Sequence, residues 1–250
     1  MLKYLSFIVI SVFYLEISAS TLACPDGQYP VKAHYRHSYY RASGTLVRAT
    51  NVKAHCKLLT RGYIYTKNRF KDGLPQGWPH SKERAKAWKD GEKSVLIDIL
   101  DNLPQEILSE KIEGFYRAER SKDYPNPASS SDGIIVIYDS AFDNKDGLDR
   151  VITHELSHQN YEDIGETARQ DYRRATGWHL ELEKDNKYYW QGRKNGYVEE
   201  DGKMSPNEDY SNNFEHFINN PDKLKKTTPS AYEWYQKRYG DKLGRKGSGK

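Results

Sequence analysis

The sequence predicts an α+β fold in which a small N-terminal β module precedes a larger mixed domain. Strand-like alternation between Cys24 and Cys56 predicts the module, and a β-branched run between segments of helical spacing predicts the domain. The 250 residues are enough to bury a core, so disorder throughout is excluded. With 39 Lys and Arg against 35 Asp and Glu, the net charge of +4 is too small for an electrostatic nucleic-acid binder.

Residues 1–23 have the pattern of a signal peptide for export. Lys3 precedes an apolar run over residues 4–15, and small residues follow near Ser20 and Ala23, after either of which cleavage is plausible. The run is shorter than the ~20 residues that a membrane span needs, so a stable membrane anchor is the less favoured alternative. We therefore expect a secreted or periplasmic protein.

Export places both cysteines in an oxidising compartment, where a disulfide between Cys24 and Cys56 is expected. The alternatives are two free thiols, or a lipid attached to Cys24 after cleavage. The disulfide would staple residues 24–60 into the small β module.

The β module contains an internal repeat, because residues 31–36 recur in similar form as residues 52–57. Both units alternate like strands, and Ser-Gly at 43–44 predicts a hairpin turn between them. The basic and aromatic residues of the module could bind a polyanion, although a solvated strand face is the favoured interpretation. Residues 61–80, with several Gly, Pro and Lys, are predicted to be a linker or an extended wrap.

The larger domain, residues 81–250, begins with helical patterning. Apolar residues from Val95 to Leu103 follow helical spacing, and Pro104 ends that helix or starts a second one at Ile107. The run Ile-Ile-Val-Ile-Tyr after Gly133 predicts a buried strand.

Residues 154–158 form a His-Glu-x-x-His motif directly after this strand region. On a helix, His154 and His158 share one face, so their imidazoles can bind one zinc ion. Glu155 is the candidate general base, which takes a proton from a water that the zinc has made acidic. Ile152 and Leu156 are expected to face the core.

The third metal ligand must come from further along the chain, because Tyr161 and Ile164 exclude the extended motif with Gly and a third His. Ser-Pro at 205–206 predicts a helix start. That helix offers three candidates, which spacing alone does not separate: Glu208, Glu215 and His216. Glu208 is favoured because it lies in the first turns, whereas Glu215 is expected to accept a hydrogen bond from His154 or His158, or to be solvated.

These residues resemble the gluzincin metallopeptidases related to the lethal-factor catalytic domain, which include many small exported bacterial peptidases. The resemblance rests on residues 154–158, on Gly-Tyr-Val at 196–198 and on Asn-Glu-Asp-Tyr at 207–210, and it covers roughly residues 80–240. It implies a zincin-like fold for residues 81–250, in which Glu208 completes the zinc site. It also implies that the strand around Val136 holds an extended peptide substrate.

Two positions depart from the family pattern. Asp201 stands where the family often has a tyrosine that stabilises the oxyanion, and Tyr197 is the nearest alternative for this catalytic role. The other role for Tyr197 is to pack its ring against a strand. Asn212 stands where relatives have a second glutamate, and it can form hydrogen bonds beside the ligands.

Motif and resemblance together imply a secreted, zinc-dependent endopeptidase that acts on peptide or protein substrates, with Zn²⁺ as cofactor and no nucleic-acid partner. The alternative is a zincin scaffold without catalysis, which binds a surface polymer or protein through its basic β module and its many tyrosines. The presence of Glu155 favours the enzyme, because a purely structural zinc site needs no general base.

Overall fold

The computed structural model describes residues 22–41, 43, 45–76, 78, 84–119, 126–144, 147–182 and 187–240. These residues form helices together with several small sheets, so the predicted α+β class is confirmed. The predicted signal peptide, residues 1–23, lies outside the described residues except for its last two positions. Within the described ranges, no helix has both the length and the apolar character that a membrane crossing requires.

The N-terminal module is one two-stranded ribbon built from six short strands. These strands are β1 (Gln28–Val31), β2 (His34–Arg36), β3 (Tyr39–Tyr40), β4 (Leu46–Val47), β5 (Thr50–Val52) and β6 (His55–Leu58). β1 pairs with β6, β2 with β5 and β3 with β4, all antiparallel and all in one register centred on Ser43. The predicted hairpin therefore forms, with its turn around Ser43.

The predicted disulfide joins Cys24 to Cys56, which are 32 residues apart. It ties the chain just before β1 to strand β6. Closing a loop of this length stabilises the folded state by about 3 to 4 kcal/mol, because the unfolded chain loses conformational freedom. The bond leaves neither a free thiol nor a thiol at Cys24 for lipid attachment.

The two units of the internal repeat face each other across the antiparallel ribbon. In the first unit, the ring Nδ1 of His34 lies 2.8 Å from the carbonyl oxygen of Lys32. In the second unit, Nδ1 of His55 makes the same contact with the carbonyl of Lys53 at 2.9 Å. The repeat therefore places the same histidine–lysine contact on both strands of the ribbon.

The predicted linker is folded at its start. Helix α1 (Arg61–Thr66) begins after Thr60, whose hydroxyl accepts a hydrogen bond from the first turn. It packs against helix α2 (Asp90–Asn102), where the backbone amide of Gly62 donates to the Asp101 carboxylate at 2.6 Å. An N-cap residue and this contact with α2 stabilise a short helix that the composition of the segment does not indicate.

Helix α2 confirms the first helix predicted in the larger domain, and its apolar face is buried. Of the two alternatives at Pro104, the end of this helix is confirmed and the start of a second helix at Ile107 is wrong. A short 3₁₀ turn at Gln105–Ile107 leads instead into strand β7 (Gly114–Ala118). Short apolar runs fit helices and strands equally well, so the spacing of buried residues here was ambiguous.

Three strands form the main sheet in the order β7, β9, β8. Strand β8 is Ala128–Ser131, and strand β9 is Ile134–Tyr138, which confirms the predicted buried strand. β9 runs parallel to β7 and antiparallel to β8, so it is paired on both sides. A central strand has no free edge for a peptide, so the substrate position predicted beside Val136 is wrong.

Helices make up most of the rest of the domain. They are α3 (Asp139–Asp143), α4 (Leu148–Asp163), α5 (Glu166–Thr176), α6 (Pro206–Asn219), α7 (Pro221–Thr227) and α8 (Pro229–Tyr239), and a hairpin of β10 (His179–Leu182) and β11 (Tyr188–Gln191) follows α5. Helix α4 packs along α6. Nine tyrosines are buried among the described residues, several of them in an aromatic core between α4, α5, α6 and α8. These buried rings are not available to a surface ligand.

Candidate metal centre

Helix α4 presents the His-Glu-x-x-His motif on the side that faces away from the core. Ile152 and Leu156 are fully buried, as predicted. His154 and His158 are partly exposed and line a cleft of about 1000 Å³, together with residues of β8 and α6. Glu155 lines the same cleft and is itself buried. The motif therefore opens into a cavity, as a site for a metal and a ligand requires.

The start of helix α6 brings a carboxylate to this cleft. Ser205 caps the helix, because its hydroxyl accepts a hydrogen bond from the backbone amide of Glu208 at 3.1 Å. Pro206 occupies the first turn, where its missing N–H costs no hydrogen bond. The predicted helix start is confirmed, and it places Glu208 in the first turn.

The neighbouring residue, Asp209, fixes this end of α6. Its fully buried carboxylate accepts two hydrogen bonds from Arg193, both at 2.8 Å, and further ones from Trp178 and Tyr172 at 2.9 and 3.2 Å. The buried charge is thus compensated by a bidentate guanidinium and three neutral donors, the third being Nδ2 of Asn213 at 2.9 Å. Because Asp209 follows Glu208 directly, the same contacts hold Glu208 at the cleft.

Three donor atoms converge between α4 and α6. Nε2 of His154 lies 3.1 Å from Nε2 of His158. Oε2 of Glu208 lies 3.5 Å from the first nitrogen and 3.6 Å from the second. Ligand atoms bound tetrahedrally to zinc at 2.0–2.1 Å are about 3.3 Å apart, so this triangle has the size that one metal ion needs. The group could therefore hold a metal ion.

The same three groups interact strongly through their charges. Burial alone lowers the pKa of His154, but its hydrogen bond with Glu208 and the charges of Glu155, Glu208 and Asp201 raise this pKa to about 9. Burial raises the pKa of Glu208, but the contact with His154 and the charges of both histidines lower it overall. The cluster therefore favours positive charge at its centre, which a proton or a divalent cation can supply.

Asn207 orients one of the two histidines. Its side-chain oxygen Oδ1 accepts a hydrogen bond from Nδ1 of His158 at 3.0 Å. With the proton on Nδ1, the lone pair of Nε2 points to the other donors and is available for a metal. Sequence reasoning did not assign this role to Asn207, and its position just before Glu208 was the one signal.

We expect Asn207→Ala to weaken zinc binding by about 10- to 100-fold, because His158 loses the acceptor that fixes its tautomer and its ring orientation. Asn207→Asp keeps an acceptor at this position and should bind zinc about as tightly as the wild type. Competition titrations with a chelator of known affinity measure both variants. Equal affinity of Asn207→Ala and the wild type would show that the hydrogen bond does not support the site.

Tyr197 does not lie with the other predicted site residues. Its ring stacks against the guanidinium of Arg193, 4.0 Å from the ring centroid, and meets the edge of Trp178. It is not among the described residues that line the cleft. The structure therefore favours the packing role for Tyr197 over the catalytic role.

Asp201 and Asn212 form a hydrogen-bonded pair in the cleft. The amide Nδ2 of Asn212 donates to Oδ1 of Asp201 at 2.6 Å. Both residues line the cavity, and the negative charge of Asp201 contributes to the raised pKa of His154. The two departures from the family pattern are thus in contact with each other.

Glu215 and His216, the other candidate ligands, belong to a separate network. The carboxylate of Glu215 accepts hydrogen bonds from Nε and Nη2 of Arg150 at 2.6 and 2.8 Å. Nε2 of His216 lies 2.6 Å from the carboxylate of Glu199. Both expectations for Glu215 are therefore wrong: it does not accept from His154 or His158, and it is buried rather than solvated. Arg150 lies one turn before His154 on α4, and it draws Glu215 to itself because a guanidinium offers a bidentate, charged partner.

The pH dependence of the free energy of unfolding tests this network, because Glu199 has a shifted pKa. The hydrogen bond with His216, followed by contacts with Lys223, lowers the pKa of Glu199 to about 2, although burial opposes the shift. Because its pKa is lowered, the Glu199 carboxylate stabilises the folded state at pH values above its ordinary pKa of 4.5. This contribution is lost as the pH falls towards 2.

We therefore expect Glu199→Gln to lower the free energy of unfolding by about 1 to 2 kcal/mol at pH 7, with solvent screening of this half-exposed group included. The difference from the wild type should shrink between pH 5 and pH 2. Urea unfolding over this pH range measures it. Glu200→Gln is the control, because the Glu200 side chain is 91% exposed. A difference independent of pH would contradict the assignment.

No protein-family model, curated protein or solved structure matches this chain. The resemblance to lethal-factor-like gluzincins therefore remains a prediction based on the motif residues. We infer the function from the residues of the cleft.

Proposed function

We propose that the protein is a zinc-dependent endopeptidase with a zincin-like fold over residues 81–250. One observation carries the proposal: His154, His158 and Glu208 place three donor atoms within 3.6 Å of one another, beside Glu155 in the same cleft. Two imidazoles and one carboxylate are a ligand set of catalytic zinc sites, which keep a fourth position open. This donor set favours zinc over calcium or magnesium, which prefer oxygen ligands.

Zinc, when bound, supplies a Lewis acid that makes a water molecule more acidic and polarises the peptide carbonyl. Glu155 is the residue we assign as general base. It lines the cleft next to His154 but is not one of the three metal donors. Its carboxylate accepts the proton of the attacking water and returns it to the departing amine nitrogen, so that the proton balance closes over one turnover.

We assign the substrate to the exposed edge of β8. This strand lines the cleft and is paired with β9 on one side only among the described strands. An extended peptide can add to such an edge through main-chain hydrogen bonds, which fits a peptide or protein substrate. Tyr197 has no part in this mechanism, because it does not line the cleft.

The proposal also includes export of the protein. The disulfide between Cys24 and Cys56 supports it, since such bonds persist in oxidising compartments. The signal-like pattern of residues 1–23 supports it as well.

The proposal is tested by incubating the mature protein with a peptide library and a denatured protein, before and after removal of metal with a chelator. We expect cleavage by the zinc-loaded protein, loss of cleavage after chelation, and recovery with one equivalent of zinc. Cleavage that persists in fully metal-free protein would contradict the mechanism.

A zincin scaffold that binds without catalysis is the second candidate. The position of Tyr197 outside the cleft favours it, because the residue predicted to stabilise the oxyanion is not there. Tight zinc binding together with no turnover of any peptide in the library would support this second function.

A further inference from the structure

The ribbon of β1–β6 carries positive charges and no negative ones. Between Gln28 and Leu58 there are six Lys and Arg and no Asp or Glu. The rest of the chain contains 33 Lys and Arg against 35 Asp and Glu, so its charges are nearly balanced overall. This asymmetry points to a role for the ribbon that the metal centre does not explain.

Four of these six cations are exposed and form no ion pair with another described residue: Lys32, Arg41, Arg48 and Lys53. The other two differ from them. Lys57 is paired with Asp98 of helix α2, and Arg36 is half-buried. Four exposed charges therefore remain for a partner.

The internal repeat arranges these charges along the ribbon. Lys32 and Lys53 occupy the same position in the two repeat units, on opposite strands and at a similar level of the ribbon. In each unit the Nδ1 atom of a histidine lies within hydrogen-bond distance of the lysine's carbonyl oxygen, so the two lysines have the same local contact. Arg48 and Arg41 lie nearer the turn, so the four cations are spread over nine residues, or about 30 Å of ribbon at ~3.3 Å per residue.

We propose that this ribbon binds a linear anionic polysaccharide. Cations spread over about 30 Å suit a polymer of closely spaced sulfate or carboxylate groups better than a single small anion, because only a polymer reaches all four charges. Nucleic acid is the weaker fit. Single-stranded nucleic acids bind on successive aromatic rings, and Tyr35 is the only exposed tyrosine among the described residues of the ribbon, while Tyr29 and Tyr39 are buried.

This inference does not depend on the proposed peptidase function. No described residue of the ribbon lines the cleft that contains His154. Binding through the ribbon would hold the protein at a polyanionic surface and leave the cleft free for its own ligand.

Fluorescently labelled heparin, a sulfated polysaccharide, is the probe, and its Kd is measured by anisotropy at 0.15 M salt. The test variant replaces Lys32, Arg41, Arg48 and Lys53 with Gln. The control variant replaces four other exposed cations with Gln and so changes the net charge equally: Arg174, Lys194, Lys226 and Lys237. Thermal unfolding of all three proteins, with the disulfide intact, verifies that each is folded.

We expect heparin to bind the wild type and the control variant with similar Kd, and the test variant with a Kd at least tenfold higher. Binding should weaken as salt increases, and a heparin disaccharide should bind far more weakly than the polymer, because it cannot reach all four charges. Equal loss in both variants would assign the effect to net charge and overturn the inference. Tighter, ribbon-dependent binding of single-stranded DNA would replace the polysaccharide with nucleic acid and also overturn it.

Discussion

The zinc-loaded Glu155→Gln variant is expected to hydrolyse peptides about 10²- to 10⁴-fold more slowly than the wild type, measured as kcat/KM on one peptide substrate. Glutamine has almost the same shape as glutamate but cannot accept the proton of the attacking water. Glu155 is not among the three donor atoms of the metal group, so the variant should bind zinc as the wild type does. The loss should therefore appear in activity and not in metal content.

Glu162→Gln is the matched control for this variant. Glu162 lies two turns further along α4, lines the same cleft and pairs with Arg169, so it tests whether the loss of any carboxylate in this cleft lowers activity. We expect its kcat/KM to stay close to that of the wild type. Full activity of zinc-loaded Glu155→Gln would refute the assigned general base.

Glu208→Ala is expected to lower zinc affinity by more than the roughly 100-fold that the loss of a supporting hydrogen bond costs, because it removes one of three protein ligands. The metal-free variant should remain folded. Ser205 and Asp209 hold this end of α6 through contacts that do not need the Glu208 side chain. Chelator competition measures the affinity, and circular dichroism without metal verifies the fold.

Glu200→Gln is the control for the loss of a carboxylate. Its side chain is exposed and lines the cleft, but it is not one of the three donors. We expect its zinc affinity to equal that of the wild type. If Glu208→Ala binds zinc as tightly as this control, the third ligand is another group.

Much of the metal centre could be predicted because its signals are local. The His-Glu-x-x-His spacing, the β-branched run of β9 and the Ser-Pro start of α6 each involve residues a few positions apart. Such patterns follow from the repeat of a helix or strand and from capping chemistry. The position of Glu208 in the first turn of α6 follows from the same local rule.

The contacts that support the site could not be predicted, because they join residues far apart in the chain. Asn207 meets His158 across 49 positions, and Arg150 meets Glu215 across 65. No local pattern shows that Arg150 competes for Glu215. The order of the strands in the main sheet could not be predicted for the same reason. Only the pairing of strands that are distant in sequence shows that β9 is central and that β8 forms an edge.

X-ray diffraction at the zinc absorption edge, on crystals of the protein grown with one equivalent of zinc, tests the central claim most directly. The zinc centre predicts one strong anomalous peak, about 2.0 to 2.2 Å from Nε2 of His154, Nε2 of His158 and Oε2 of Glu208. A peak of full occupancy elsewhere in the molecule, with none between these three atoms, would contradict it.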